Sequence, residues 1–263
     1  EARYQKMSST TANKKKKRTI RFWAVAVWLF VWQAVSVWIG QEILLVSPVV
    51  VLERLTGLVM ETEFWRSIGF SLVRILGGFF LAAAAGILAA GLSAKFERIR
   101  EFFAPAVMVV KAVPVASFII LVLIWVPSRN LSVVISFLMV FPILYTNVLD
   151  GILSTDPKLL EMADVFALPH AVRIRYIYVS QVLLFFRTGC SIGLGLCWKA
   201  GVAAEVIGIP DGSIGEKLYN AKVYLNTPDL FAWTVVIVLI SLLFEKLFLA
   251  MVDGAVIRLE RMR

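Results

Sequence analysis

One histidine and two cysteines in 263 residues leave little with which to hold a metal ion. Cys190 and Cys197 stand seven positions apart on one predicted helix, about 10 Å along its axis, too far for a disulfide. Both are expected to be packing residues. The sequence has no His-Glu-x-x-His pattern and no nucleophile–base pair, so no catalytic residue is expected. It also has no Gly-x-x-x-x-Gly-Lys-Ser/Thr phosphate loop, and Gly212–Lys217 carries a similar composition at the wrong spacing. No metal and no cofactor is therefore expected on this chain. Charge is scarce as well, at 17% of residues.

Apolar residues fill the space. The chain is 60% hydrophobic with a mean hydropathy of +0.83, more than a soluble domain of this length needs. Several runs approach the ~20 residues that cross about 30 Å of hydrocarbon. The fold class expected is all-α, a polytopic membrane protein of six transmembrane helices. The spans are placed at Phe22–Gly40, Phe64–Ala94, Phe102–Val126 (interrupted at Pro114), Leu131–Leu149, Val182–Val206 and Leu230–Val252. A short amphipathic helix is expected over Val49–Met60 and another over Ile214–Tyr224. The division is a basic tail at 1–21, a membrane domain at 22–256 with a polar segment at 156–181 and a loop at 207–229, and a tail at 257–263. Small residues in the second span, Gly77-Gly78, Gly86 and Gly91, allow close helix approach in lipid. No small-residue cleavage site follows the first apolar run, which argues against a cleaved signal peptide.

Six spans put both ends of the chain and the 156–181 segment on one side. Lys14–Arg18, Lys95, Arg98, Arg100, Arg173, Arg175, Arg258, Arg261 and Arg263 share that side, against Arg54, Arg129, Lys217 and Lys222 opposite. The positive-inside rule makes it cytoplasmic. The net charge of +9 therefore sits at span ends and is no footprint of nucleic acid.

Asp156–Gln181 is the longest clearly polar stretch between spans. Asp156 can cap a helix whose first position suits Pro157. Leu159, Leu160, Ala163 and Phe166 fall on one face at helical spacing. Leu168 precedes Pro169, which disfavours helix there, and Pro169 can start a second helix carrying Arg173 and Arg175. Two readings stay open on amphipathicity alone: a docking knob for another protein, or a connector lying on the membrane surface.

Glu161-Met162-Ala163, Ala167, and Ile177 before Ser180 resemble the EAA coupling motif of ABC-importer membrane subunits. Met162 replaces its second residue, Ala167 its glycine and Ser180 its proline. Ser71-Leu-Val-Arg74, Gly77-Gly-Phe79 and Gly86 are similar to the second span of the nitrate/sulfonate/taurine class of importer permeases. Val113-Pro114-Val115-Ala116, Phe141-Pro142, Asn147, Gly151, Trp198-Lys199-Ala200-Gly201 and Ala204-Glu205 resemble its later spans. The resemblance covers roughly 47–248. It implies the type I importer permease fold, a prokaryotic cell membrane, and a substrate path at the interface of a pair of permease subunits. The implied partners are a second permease chain, two cytoplasmic ABC ATPase subunits that use ATP and magnesium, an extracytoplasmic substrate-binding protein, and membrane lipid. ATPase coupling is implied for Glu161, Ala163, Asp164, Ala167, Leu168 and Pro169.

Ionisable groups within spans are costly and should face a cavity or a partner. Lys199, Glu205 and Lys111, with Pro114 and Asn147, are the candidate translocation path. Lys199 either attracts an anionic substrate or is a paired, snorkelling lysine. Lys111 lies nearer the cytoplasmic half of its span, where snorkelling is easier. Arg187 is expected to snorkel to the inner interface. The competing class is a secondary transporter driven by an ion gradient. It would show matched inverted repeats, and none is found.

Overall fold

The computed structural model describes the backbone of residues 22–261 and side chains as far as residue 254. The basic run Lys14–Arg18 and the last arginine lie outside the described residues. Two units are recognised, Glu1–Pro48 and Val49–Arg263. In the first, α1 (Phe22–Ile39) is apolar around its whole circumference. Gly40, at φ 62°, ends it, and the following turn is tied back by hydrogen bonds from Trp32 Nε1 to Val46 O (3.0 Å) and from Ser36 Oγ to Leu45 O (2.9 Å).

Every regular element described in the second unit is a helix: α2 (Pro48–Val59), α3 (Thr62–Lys95), α4 (Glu97–Ala112), α5 (Val115–Leu123), α6 (Ser128–Leu153), α7 (Pro157–Val165), α8 (His170–Arg173), a π-helical turn (Ile174–Tyr178), α9 (Val179–Gly208), α10 (Ile214–Val223) and α11 (Thr227–Arg261). Among the described residues five helices are long and apolar enough to cross a membrane, and the pair α4–α5 makes a sixth if counted as one bent span.

The core is built by α3, α6 and α9. Ile75, Phe79, Val140, Leu144, Leu194 and Trp198 interlock there, and both cysteines are free and buried among them. The small-residue stripe of α3 divides by face. Gly78 and Gly86 meet α6, whereas Gly77 and Gly91 meet open space. At Gly78 a Cβ would fall 2.4 Å from Val133 O, so only glycine lets the two backbones approach this closely.

Phe102–Val126 was expected as one interrupted span. The structure instead turns the chain by 106° between α4 and α5. Val113 precedes Pro114 and is held extended (φ −77°, ψ 132°), and Pro114 itself has ψ 136°, so two consecutive residues leave helix geometry. Pro142, by contrast, lies inside an unbroken α6. Arg187 does not simply snorkel: its guanidinium forms a two-point ion pair with Asp253, fastening α9 to α11.

Candidate functional site: coupling knob, outer latch and path face

The polar segment folds as a hooked knob. Asp156 accepts a hydrogen bond from Lys158 N (2.9 Å) and Pro157 opens α7, the arrangement its sequence favours. Ala163 is fully buried. The helix ends in a Schellman motif: Leu168 N donates to Ala163 O (2.9 Å), Ala167 N donates to Asp164 O (3.0 Å), and Ala167 sits at φ 46°. Left-handed geometry costs alanine about 1 kcal/mol relative to glycine. Arg173, reaching back from α8, offsets that cost. It donates from Nε to Leu168 O (3.0 Å) and from Nη2 to Ala163 O (3.1 Å), and pairs with Asp164 through Nη1.

Phe166 was placed on the apolar face with Ala163, but it is the C-cap residue and is 70% exposed, beside exposed Val165 (82%) and Met162. The helical phase ends at Val165, so the next side chain swings outward. The second short helix is also not separate from the span after it. His170–Gly208 is one helical run of 39 residues, passing through a π-helical turn at Ile174–Tyr178. Glu161 and Asp164 are exposed, Leu168 is half-buried, and Pro169 caps α8.

At the far end of the same run lies a buried carboxylate. Glu205 has 0% exposure. Ser71 Oγ of α3 donates to its Oε2 (2.6 Å), Gly215 N of α10 donates to the same oxygen (3.3 Å), and Ile214 N donates to Ser71 Oγ (2.9 Å). Ser132 and Arg74 lie near the carboxylate. The carboxyl group thus sits at the N-terminus of α10, where it accepts from a first-turn backbone N–H. A Cβ on Gly215 would fall 2.3 Å from Glu205 Cβ, so α10 seats directly on the α9 backbone. Glu205 is therefore a latch joining three helices within one chain. Ser71 could have been found by asking which small polar residue answers an acid within a span. Arg173 had no such signal, because its acceptors are mainly backbone carbonyls.

Lys199 does not join Glu205. It is exposed on α9, in a stripe with Leu184, Ile192 and Ile207 at helical spacing. Lys111 is exposed at the end of α4 and donates to Thr146 Oγ1 of α6 (3.3 Å). Asn147 donates from Nδ2 to Ile143 O (2.8 Å) and packs on Gly189, away from Lys111. Pro114 is exposed at the α4–α5 bend. The five candidates thus occupy separate places. Among the described residues no cluster of ligating side chains could hold a metal. Other charges also have partners: Ser191 of α9 donates to Glu245 of α11 (3.1 Å), and Arg54 of the short outer helix α2 forms a two-point pair with Asp229 of α11. That hydrogen bond to Asp229 pushes the Arg54 guanidinium above its ordinary value.

Residues 82–258 match the sequence model of a family described as binding-protein-dependent transport system inner membrane component. The chain belongs to this family. The permease is 28% identical over 209 residues to a probable ABC transporter permease protein of Brucella melitensis, covering 79% of this chain and 85% of that one. It is 28% identical over 237 residues to the taurine transport system permease protein of Escherichia coli K12 (86% and 85%), and 26% identical over 205 residues to the nitrate import permease protein of Synechococcus elongatus (74% and 73%). Its backbone superposes on a crystal structure of an amino acid ABC transporter with a TM-score of 0.50 at 17% identity, over 73% of this chain and 94% of that one. This last likeness concerns the fold. The permease is a multi-pass membrane subunit of an ABC import system, the class that its coupling motif and span motifs resemble.

Proposed function

We propose that two copies of this permease form a path for a small anion, with both chain ends and the knob in the cytoplasm. Two ATPase subunits each hold one knob and supply the energy. The carrying observation is the knob itself: an exposed apolar tip of Met162, Val165 and Phe166 on a polar hook whose shape is set by Arg173. Exposed apolar groups on a rigid, otherwise polar element fit a protein cleft. The helical run from His170 to Gly208 is roughly 58 Å long, so movement of the knob can reach the other end of the spans.

A lysine within an apolar stripe does not face hydrocarbon at low cost. Lys199 is therefore assigned to a face covered by the second copy, where its charge meets the substrate. The relatives named for taurine and nitrate support a small substrate that carries a sulfonate or other oxyanion group. On the outer side, exposed Val223, Tyr224 and Leu225 at the end of α10 offer a docking surface for a substrate-binding protein. Beside them a cleft of about 240 Å³, bounded by the Arg54–Asp229 and Lys217–Glu63 pairs, widens that surface.

Lys199→Met tests the path. In proteoliposomes holding the permease, its ATPase and its binding protein, ATP-driven anion uptake is expected to fall at least about tenfold, because burying an uncompensated anion costs more than 1.4 kcal/mol. Assembly with the ATPase should be unchanged. Undiminished uptake removes Lys199 from the path.

A further inference from the structure

We propose that α10 is an outer gate, a rigid helix that swings off Ser71 and Glu205 in each transport cycle, resting on the importer reading above. Among the described residues three non-glycine positions have positive φ, and two of them bracket this helix: Ile209 (φ 48°) before it and Leu225 (φ 54°) after it. Left-handed backbone is unfavourable for a residue with a Cβ, above all for a β-branched one such as isoleucine. Both stand where a helix end usually places glycine. Ile209 N donates to Glu205 O (2.8 Å), and Leu225 N donates to Lys222 O (3.2 Å) beside Asn226 N to Ala221 O (2.8 Å). The seated helix is therefore strained at both of its joints, and strain of this kind collects at moving parts.

Between those joints the segment carries its own caps. Ser213 Oγ accepts from Glu216 N (2.9 Å), and Glu216 Oε2 accepts from Gly212 N (2.6 Å), so the first turn holds its shape away from the seat. The ties given up on opening are few. Ile214 N and Gly215 N leave Ser71 and Glu205 and pass to water. The Lys217–Glu63 pair (3.1 Å) is a weak tether, because the Glu63 side chain is largely exposed. Within α10 only Ile214, Gly215 and Ala221 are buried.

The surroundings leave room for the motion. A cleft of about 240 Å³ separates Asn220 and Tyr224 from Phe64 and Trp233 on one side. Another of about 270 Å³ separates Asp211 and Gly212 from Ser67 and Phe70 of α3. Beneath the helix, Glu205 Oε1 and Ser132 Oγ are buried and make no hydrogen bond of ordinary geometry among the described residues, so the seat is incompletely satisfied. A self-capped helix with strained joints and an imperfect seat suits a two-position element. Val223, Tyr224 and Leu225, exposed at its far end, lie about 15 Å from Ile214. A partner holding that tip acts on the seat through one rigid lever, and opening uncovers the end of α9 six residues beyond Lys199.

The test pins the seated end to α3. Arg66 and Asp211 are exposed on opposite walls of the 270 Å³ cleft, and the native cysteines are buried. Arg66→Cys/Asp211→Cys permease is placed in proteoliposomes with its ATPase and binding protein. An ethylene-bridged bis-methanethiosulfonate added from the outer side should reduce ATP-driven uptake at least about tenfold, and a reductant should restore it. A long polyethylene-glycol-bridged homologue should leave uptake within about twofold. Persistent uptake after complete short tethering overturns the gate, as does equal loss with both reagents. A second measurement needs no tether. The thiol of Ile214→Cys, sealed in the seat, should react with an impermeant maleimide from the outer side during ATP turnover and not without nucleotide. No labelling in either state, or equal labelling in both, overturns the gate. Uptake by the untethered double variant bears on the importer reading by itself, so a gate that fails these tests leaves that reading standing.

Discussion

Gly215→Val is expected to abolish transport and to lower the thermal unfolding midpoint of the detergent-solubilised permease by several degrees. The reason is steric and local. At Gly215 an added Cβ falls 2.3 Å from Glu205 Cβ, 2.4 Å from Glu205 C and 2.5 Å from Val206 N. Two of these are backbone atoms of α9 that cannot rotate away, so α10 must lift. Lifting it strips Oε2 of Glu205 of the Gly215 donor and separates Ile214 N from Ser71 Oγ. Overpacking costs about 1–3 kcal/mol and an unsatisfied buried polar group about 1–3 kcal/mol more. For a chain of this size each kcal/mol moves the midpoint by roughly 2–4 °C. Glu205→Leu should act in the same direction without the clash, by leaving Ser71 and Gly215 N without their acceptor. Glu205→Gln should be milder, since its carbonyl oxygen can still accept from Ser71. Midpoints within 1 °C of the parent for both Gly215→Val and Glu205→Leu would remove the latch from the account.

Arg173→Ala is expected to uncouple ATP hydrolysis from uptake while leaving the spans folded. Arg173 holds the hook closed through two backbone carbonyls, Leu168 O and Ala163 O, as well as through Asp164. The Asp164 carboxylate is 68% exposed, so most of the worth lies in the carbonyl bonds. Losing them costs about 2 kcal/mol, enough to reduce the fraction of knobs in docking shape by more than tenfold. Uptake should fall accordingly while ATP hydrolysis persists. Ala167→Gly works in the opposite sense, since glycine accepts φ 46° without the alanine penalty of about 1 kcal/mol. In the double variant it should restore part of the lost uptake. Equal uptake by Arg173→Ala and the parent would show that the hook does not depend on this clamp.

Much of this architecture is legible in the residues. Apolar runs place the spans, and Asp156-Pro157 and Leu168-Pro169 place the start of α7 and the bend after it, because caps and prolines act locally. What escaped involves partners far along the chain. Ser71 and Glu205 are 134 positions apart; an acid within a span asks for a small polar partner, but no local pattern says which one it meets. The Arg187–Asp253 and Arg54–Asp229 pairs escaped for the same reason. The angle at Pro114 also escaped, since the proline marks a break but its neighbours decide how far the chain turns. Phe166 shows the limit of periodicity. Its spacing matches the buried face, and ending the helix one residue earlier reverses its direction. Lys199 was legible as costly, and its six-residue spacing from Glu205 already places the two on different faces of a straight helix, as the exposed Lys199 and buried Glu205 of α9 are.

If the knob meets an ATPase on the inner side of the membrane, a single cysteine at its tip will report it. Cys190 and Cys197 are buried, so a thiol introduced by Phe166→Cys at the exposed tip will be the reactive one among the described residues. In inside-out vesicles a membrane-impermeant maleimide should label it, co-expressed ATPase subunits should protect it, and a short crosslinker should join it to the ATPase. Labelling from the outside of intact cells, with no protection by the ATPase, would show that the knob is not a cytoplasmic coupling element.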